Sequence, residues 1–400
     1  MSKRLPLFYT VTAIFWFALY TYVPYVSPYA EYLGADLRFI GLIVGAYGFT
    51  QMAIRFPLGI LSDRLGKRKI FVLGGLFFAA ASGVVVFIMP HPYAMLLSRS
   101  LGGVAAASWV TFAILGASYY PADEAAKSVG FLNSANAMGR ILAFLAGGLI
   151  AQWLGVGYAF LLGGLAGVAG FVLGFSIVEK RSSRKNPDKA DAQPKSIAKA
   201  ATPPSLSELL GLVGNRQLLA ASLLAILSQY ISFATAFGFT PLFAEGFGAS
   251  SLQLGMLGMA AALPGLFLSP LAGTVLPRKL GTRNTIGIGF GMAAMGCVLF
   301  VFIAEMWQLF AVQILISSGL ALAYTMLMGL SIKDIPGDRR ATAMGFFQAV
   351  YGLGMFVGPF VTGWVGHGFG LGTAFIITGG VGALGVILVF VFARRGYVAR

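Results

Sequence analysis

Long apolar runs, each about as long as a bilayer is thick and parted by short polar gaps, constrain this chain more than any single motif. About 20 consecutive apolar residues suffice for a helix to cross the hydrocarbon core. Twelve such runs follow one another, at roughly 6–30, 39–61, 70–89, 93–118, 128–153, 158–178, 217–244, 251–276, 285–304, 307–331, 341–366 and 372–393. Each must be a helix, because an open strand edge in lipid leaves backbone groups unpaired. Several exceed about 20 residues, which implies tilt or ends beyond the hydrocarbon. One such run also fits the core helix of a soluble protein; twelve in succession do not. Composition agrees: 10% of residues are charged, against about 25% in soluble chains. The expected fold class is an all-α membrane protein with twelve transmembrane helices.

A net charge of +15 could suggest nucleic acid as a partner, but the bases sit in the gaps between runs, where topology requires them. With residue 1 inside, the inner loops hold Lys3, Arg4, Arg64, Lys67, Arg68, Lys69, Lys127, Arg278, Lys279, Arg283, Lys333, Arg339, Arg340 and the bases after residue 393. The outer loops hold only Arg38, beside Glu31, Asp36, Glu245 and Glu305. Both termini are therefore expected in the cytoplasm, with the chain a multi-pass protein of the cell membrane. The start imitates a signal peptide, but its apolar run continues to about Tyr29 with no small-residue cleavage site, and reads as a retained first span. The single cysteine, Cys297, excludes an internal disulfide. Gly66-Lys67 is followed by Arg68 and lacks the upstream glycine of a phosphate-binding loop, so no nucleotide cofactor is expected. His91 and His367, far apart in outer loops, are expected to be solvated and make no metal site.

Residues 179–216 break the pattern. They are polar and basic and include Pro187, Pro194, Pro203 and Pro204, as a flexible connector would. Within them Ser205 and Glu208 have the spacing of a capping box opening a short amphipathic helix. The bases suit anionic lipid headgroups. The expected organisation is a bundle over 1–178, a linker over 179–216 and a second bundle over 217–400. The two halves repeat at an offset of about 214: Gly34-Ala35 and Gly41 recur as Gly248-Ala249 and Gly255; Pro121 and Asp123 recur as Pro336 and Asp338; Gly139 and Gly148 recur as Gly354 and Gly363.

Between the second and third runs lies Gly59-Ile-Leu-Ser-Asp63-Arg64-Leu-Gly66-Lys67-Arg68-Lys69. Its bases suit an inner loop; its acid is not required by orientation. This stretch closely resembles the signature after the second helix of the major facilitator superfamily, and the chain is identified as resembling that family's drug and metabolite efflux branch. The resemblance implies two pseudo-symmetric six-helix bundles that rock about a site near the midplane. It also implies that Asp63 meets the start of span 11, at Asp338, Arg339 and Arg340. Lys67 or Arg68 can then pair with Asp123 or Glu124, and the whole cluster would latch the inner side shut. The second copy, Gly273 to Gly281, keeps glycines and bases but has no acid.

Span 5 carries Gly130, Gly139, Ala143-Phe144 and Gly147-Gly148, similar to the family's antiporter signature with its Gly-Pro replaced. Span 11 carries the complement, Gly345, Gly354, Gly358-Pro359 and Gly363. Small residues at these spacings serve either to seal a leak path or simply to pack helices. Arg55, Arg99 and Arg140 lie inside spans, where an unpaired arginine costs about 2.5–3.5 kcal/mol or more, so each should face the interior. Arg99 with Gly103 resembles the family's proton-coupling motif; Arg55 suits a brace at the inner gate. Glu31 either titrates against Arg99 or is a solvated outer carboxylate. Candidate cavity residues are Tyr20, Tyr22, Tyr25, Asn133, Asn136, Gln229 and Tyr230. The expected function is alternating-access transport without enzymatic chemistry: proton-coupled export of small amphipathic organic molecules by a monomer. Two rivals are an organic-anion transporter using the arginines and a non-transporting receptor or scaffold.

Overall fold

A computed structural model describes residues 4–120, 125–179, 214–336 and 339–397. The expected linker helix, Asp123, Glu124, Asp338 and the side chain of Asp63 lie outside the described residues. Every regular element among the described residues is helical. Eleven helical runs are long and apolar enough to cross a membrane, the last with 53 residues. At about 1.5 Å per residue that run would be about 80 Å long, against a hydrocarbon core of about 30 Å. It is two spans. Gly370, at φ 85° and ψ 155°, interrupts it and turns the chain back. Among the described residues the count of crossings is thus twelve.

Span 1 comprises Arg4–Tyr20, a 3-10 turn Val23–Tyr25 and Val26–Tyr32. Spans 2 to 6 are Leu37–Leu65, Arg68–Ile88, Pro92–Ala107 continued by Trp109–Ala117, Ala125–Leu154 and Val156–Gly174. Span 7 comprises Arg216–Ala234, a π turn Thr235–Phe239 and Thr240–Glu245. Spans 8, 9 and 10 are Ser251–Thr274, Thr282–Leu299 and Met306–Lys333. Spans 11 and 12 are the parts of Arg340–Arg394 before and after Gly370. With an even number of crossings, Arg4 and Tyr397 lie at one face, here termed proximal; the other is distal.

Span 2 is longer than its apolar run. Nothing between Leu61 and Leu65 breaks a helix, so Asp63 and Arg64 belong to its last turn and not to a loop. Gly66 ends it at φ 59°, its N–H bonded to the Ser62 carbonyl, as a left-handed cap does. Span 3 begins two residues on, with no cap from Lys67. Glu179, five residues past the end of span 6, serves instead: its carboxylate accepts the backbone N–H of Arg68 at 2.6 Å and of Lys69 at 3.1 Å. An acid at a helix start offsets orphan donors and the helix dipole together.

The repeat seen in sequence is present in the backbone. Gly34 and Gly248, Gly66 and Gly281, and Gly155 and Gly370 all have positive φ, pair by pair at equivalent corners. Gly155 and Gly370 each join two spans through one residue in a region that only glycine occupies readily. Gly370→Ala should therefore lower stability by about 1–3 kcal/mol. Gly368→Ala, in helical backbone with open space around it, should leave stability within about 0.5 kcal/mol. Thermal unfolding of both variants in one detergent checks the contrast.

Candidate functional site: a cavity roofed by aromatics and arginine

Along span 2, Gly41, Gly45, Gly48, Met52, Arg55 and Gly59 recur every three or four residues and share one face. A Cβ at Gly41 would strike the Pro359 carbonyl, one at Gly45 the Phe356 carbonyl, and one at Gly48 the Met355 side chain. Spans 2 and 11 thus touch backbone to backbone. The contact runs from Leu37 against Gly363 down to Arg55, whose Nη1 donates to Gln348 Oε1 at 3.0 Å. One turn further, Gly59 and Gly345 face open space. Spans 5 and 8 behave alike. Gly255 abuts the Phe144 carbonyl and Gly148, Gly258 abuts the Phe144 ring, and Gln152 Oε1 accepts the Leu252 N–H at 3.3 Å. Proximally, Gly130 and Gly265 meet nothing. Further distal contacts are Tyr25 donating to the Ser251 carbonyl at 3.0 Å, Ser27 donating to the Gly238 carbonyl, and Arg38 stacked 4.9 Å from Trp364. The halves are closed at the distal face and part at the proximal one.

The roof of this cleft lies where spans 1 and 7 are both interrupted. Thr21 Oγ1 donates to the Phe17 carbonyl and Thr235 Oγ1 to the Ile231 carbonyl, at 2.6 and 2.7 Å, one turn back in each case. Such back-bonding loosens the regular ladder, and π turns of the kind at Thr235–Phe239 recur at functional sites. The two breaks present Tyr20 and Phe237 to each other, ring centroids 6.0 Å apart. Arg140 of span 5 lies over Tyr20 at 4.5 Å and within 5.9 Å of Phe237, the latter from the opposite half. Arg140 is half-buried as a residue, its Nε is shut off from solvent with no hydrogen-bond partner, and no carboxylate among the described residues pairs with it. Trp16 stacks near Tyr20 at 5.6 Å and against Trp109 at 5.2 Å, and its indole N–H also lacks an acceptor. The aromatic row continues through Phe233 to Tyr47, over which Arg99 lies at 4.5 Å. Arg99 is nearly sealed, at 3% exposure.

Asn136 and Asn133 stand one and two turns proximal to Arg140 on its face of span 5, half-buried and exposed respectively. Gln229 is half-buried. Three sequence-predicted cavity residues are elsewhere. Tyr22 is fully buried inside the first half, hydroxyl 2.9 Å from Ser82 Oγ and ring stacked on Phe160. Tyr25 belongs to the distal seam. Tyr230 is buried with its carbonyl against Gly358. In each case the apolar body of the ring is used for packing. Gly103 sits against Thr50 and the Tyr47 carbonyl; Gly139 and Gly147 abut the Ala13 and Thr21 carbonyls of span 1; Gly354 abuts the Ile226 carbonyl of span 7. Arg64 and Lys67 are exposed at the proximal face, as are Arg339 and Arg340, the last bonded to the Ile335 carbonyl at 3.1 Å. Glu31 is exposed at the distal face. His91 and His367 are both exposed, and each also has a partner. His91 caps span 4, accepting the Tyr93 N–H, and His367 lies 3.6 Å from Asp36. The described residues hold no cluster able to bind a metal. An apolar groove of about 500 Å³ between spans 8 and 10, lined by Met256, Leu263, Phe267, Phe310 and Ile314, is separate from the arginine cluster.

Two six-helix halves around a cleft open at one face define a membrane transporter of the facilitator type. The sequence profile of the Major Facilitator Superfamily matches residues 8–278 and 222–399, and the chain belongs to that family. It is 27% identical over 353 residues to an uncharacterised MFS-type transporter of Methanocaldococcus jannaschii, covering 87% of each chain. It is 20% identical over 370 residues to the quinolone resistance protein NorA of Staphylococcus aureus, covering 91% of this chain and 90% of NorA. Among solved structures, a bacterial homologue of the human lysosomal transporter Spinster, in an inward-facing, unoccupied conformation, superposes with a TM-score of 0.81 at 16% identity over 98% of both chains.

The seam makes one outcome definite. A β-carbon at position 255 would lie 2.6 Å from the Phe144 carbonyl oxygen, inside van der Waals contact. Gly255→Val should therefore hold the distal face ajar. Spin labels at Tyr32→Cys and Phe369→Cys, both exposed, should then report a longer distance than in the parent chain.

Proposed function

We propose that the chain is an alternating-access transporter of small amphipathic organic molecules that carry an anionic group, with Arg140 as the point of charge recognition. The observation that carries this reading is the Arg140 guanidinium at the cavity roof, held on an aromatic face with no carboxylate beside it among the described residues. Bringing an anion to it forms charge-assisted hydrogen bonds, about twice as strong as neutral ones. Tyr20 and Phe237, both half-buried, supply ring surface for the apolar part of such a molecule. Asn133 and Asn136 offer neutral amide donors along the way in.

In this reading the proximal face is cytoplasmic, as the lysines and arginines demand. The closed distal seam opens while the proximal turns around Gly59 and Gly345, and Gly130 and Gly265, come together. Asp63 then meets the start of span 11 as a latch, with Asp123, Glu124, Asp338, Arg339 and Arg340 as its surroundings. Arg55 braces that side through Gln348, and Glu31 takes no part at the site. A monomer suffices, since both halves come from one chain, and lipid headgroups meet the basic linker.

A second reading, proton-coupled export of drugs or metabolites, is favoured by the similarity to NorA along nearly the whole chain. There Arg99 with Gly103 would serve proton coupling and the aromatic roof would bind without a charge partner.

Thermal stabilisation of purified protein separates the two. A ligand stabilises roughly as RT ln(1 + [L]/Kd). The anion reading expects 2-naphthoate to stabilise the parent chain and ethidium not to. It expects Arg140→Ala to weaken naphthoate about 10- to 150-fold, the loss of one hydrogen-bonded charge worth about 1.5–3 kcal/mol, with Arg140→Lys in between. Stabilisation by ethidium alone, indifferent to Arg140→Ala, would replace it with the second reading.

A further inference from the structure

Among the described residues, the carboxylates and imidazoles that the two halves bring near each other all lie at the distal rim. Asp36 caps span 2: its Oδ1 accepts the Phe39 N–H at 2.8 Å, which pins the carboxylate and leaves Oδ2 free to face the other half. There it meets His367 Nδ1 of span 11 at 3.6 Å. The two side chains are 50% and 37% exposed, so water and protons reach both. The backbones beneath them are already in contact, Leu37 against Gly363, and Arg38 lies on Trp364 beside the pair. The pair therefore spans the seam at a point where the halves must separate for the distal face to open.

We propose that Asp36 and His367 form a proton-strengthened latch, so that acid at the distal face holds the transporter in its distally closed posture. At 3.6 Å a neutral imidazole makes no good hydrogen bond to a carboxylate; an imidazolium attracts it. Histidine changes charge between about pH 5 and pH 8, so the attraction is present at the acid end of that range and absent at the alkaline end. The other charged groups around the pair act in known directions. Arg38 is a fixed cation on span 2. His91 lies on span 4, behind the Tyr93 ring that touches Phe39. Residues 371–378, which open span 12, include no titratable side chain. Glu31 and Glu245, 214 positions apart and equivalent in the two halves, are both exposed and within electrostatic reach of each other across the seam. Protonating either removes a repulsion, which again favours closure. An exposed ion pair shifts an equilibrium by about 1.5- to 5-fold, enough to bias two postures and too little to lock one. The latch does not depend on what occupies Arg140.

Full-length protein in lipid nanodiscs, which exposes both faces, tests it without substrate. Spin labels at Tyr32→Cys and Phe369→Cys report the distal separation, while the native Cys297 is buried. A Glu31→Gln, Glu245→Gln background removes the like-charge pair. In that background the ratio of closed to open populations should be about 1.5- to 5-fold higher near pH 5 than near pH 8. His367→Gln should flatten the response. So should Asp36→Asn, and because asparagine caps a helix as well as aspartate, a flat response there is loss of charge and not of the helix start. A pH-independent ratio in the background chain, or an unchanged response in His367→Gln, would overturn the proposal.

Discussion

Helix backbones in direct contact, made possible by glycine, hold the two halves of this protein together. In lipid there is no hydrophobic force between helices, so association depends on close approach and on hydrogen bonds. Spans 2 and 11, and spans 5 and 8, supply both through glycines that face carbonyls and glycines of the opposite half. What lies proximal to the contacts is open, and what lies at their edge, Phe144 and Arg55, frames the cavity.

Three arginines inside the spans meet three different answers to the cost of a charge in a membrane. Arg55 finds an amide, Gln348. Arg99 is sealed over Tyr47 and Arg140 lies half-open over Tyr20. Cation–π contacts of this kind are worth about 0.5–2 kcal/mol, well short of what a buried carboxylate would supply. A stacked arginine is therefore stabilised without being neutralised. That difference keeps Arg140 available to an incoming charge, and its contact with Phe237 places that charge between the halves.

The twelve spans, their helical state and their repeat were legible because membrane insertion imposes length and because glycine and proline punctuate both halves in one register. The end of span 2 was less so. Ser62, Asp63 and Arg64 are polar, and hydropathy stops where helix propensity does not. Arg140 and the asparagines beneath it were readable as polar residues in an apolar run. Trp16 and Phe237 were silent, since an aromatic in a membrane helix carries no mark of which way it faces. A trace of Phe237 was present: the Thr235-Ala-Phe-Gly-Phe stretch lies at the offset of Thr21, where span 1 also breaks. Tyr22 and Tyr25 misled for the converse reason, a hydroxyl being satisfied as well by Ser82 or a Ser251 carbonyl as by a cavity.

Gly155 and Gly370 join span 5 to span 6 and span 11 to span 12 through a single residue each. Spans 5 and 11 are seam helices, and the spans tied to them have no slack in the connection. A seam helix that tilts must therefore drag its follower through the acyl chains. Rearrangement then does work against lateral pressure, and the thickness and stiffness of the surrounding bilayer become part of the energetics of turnover.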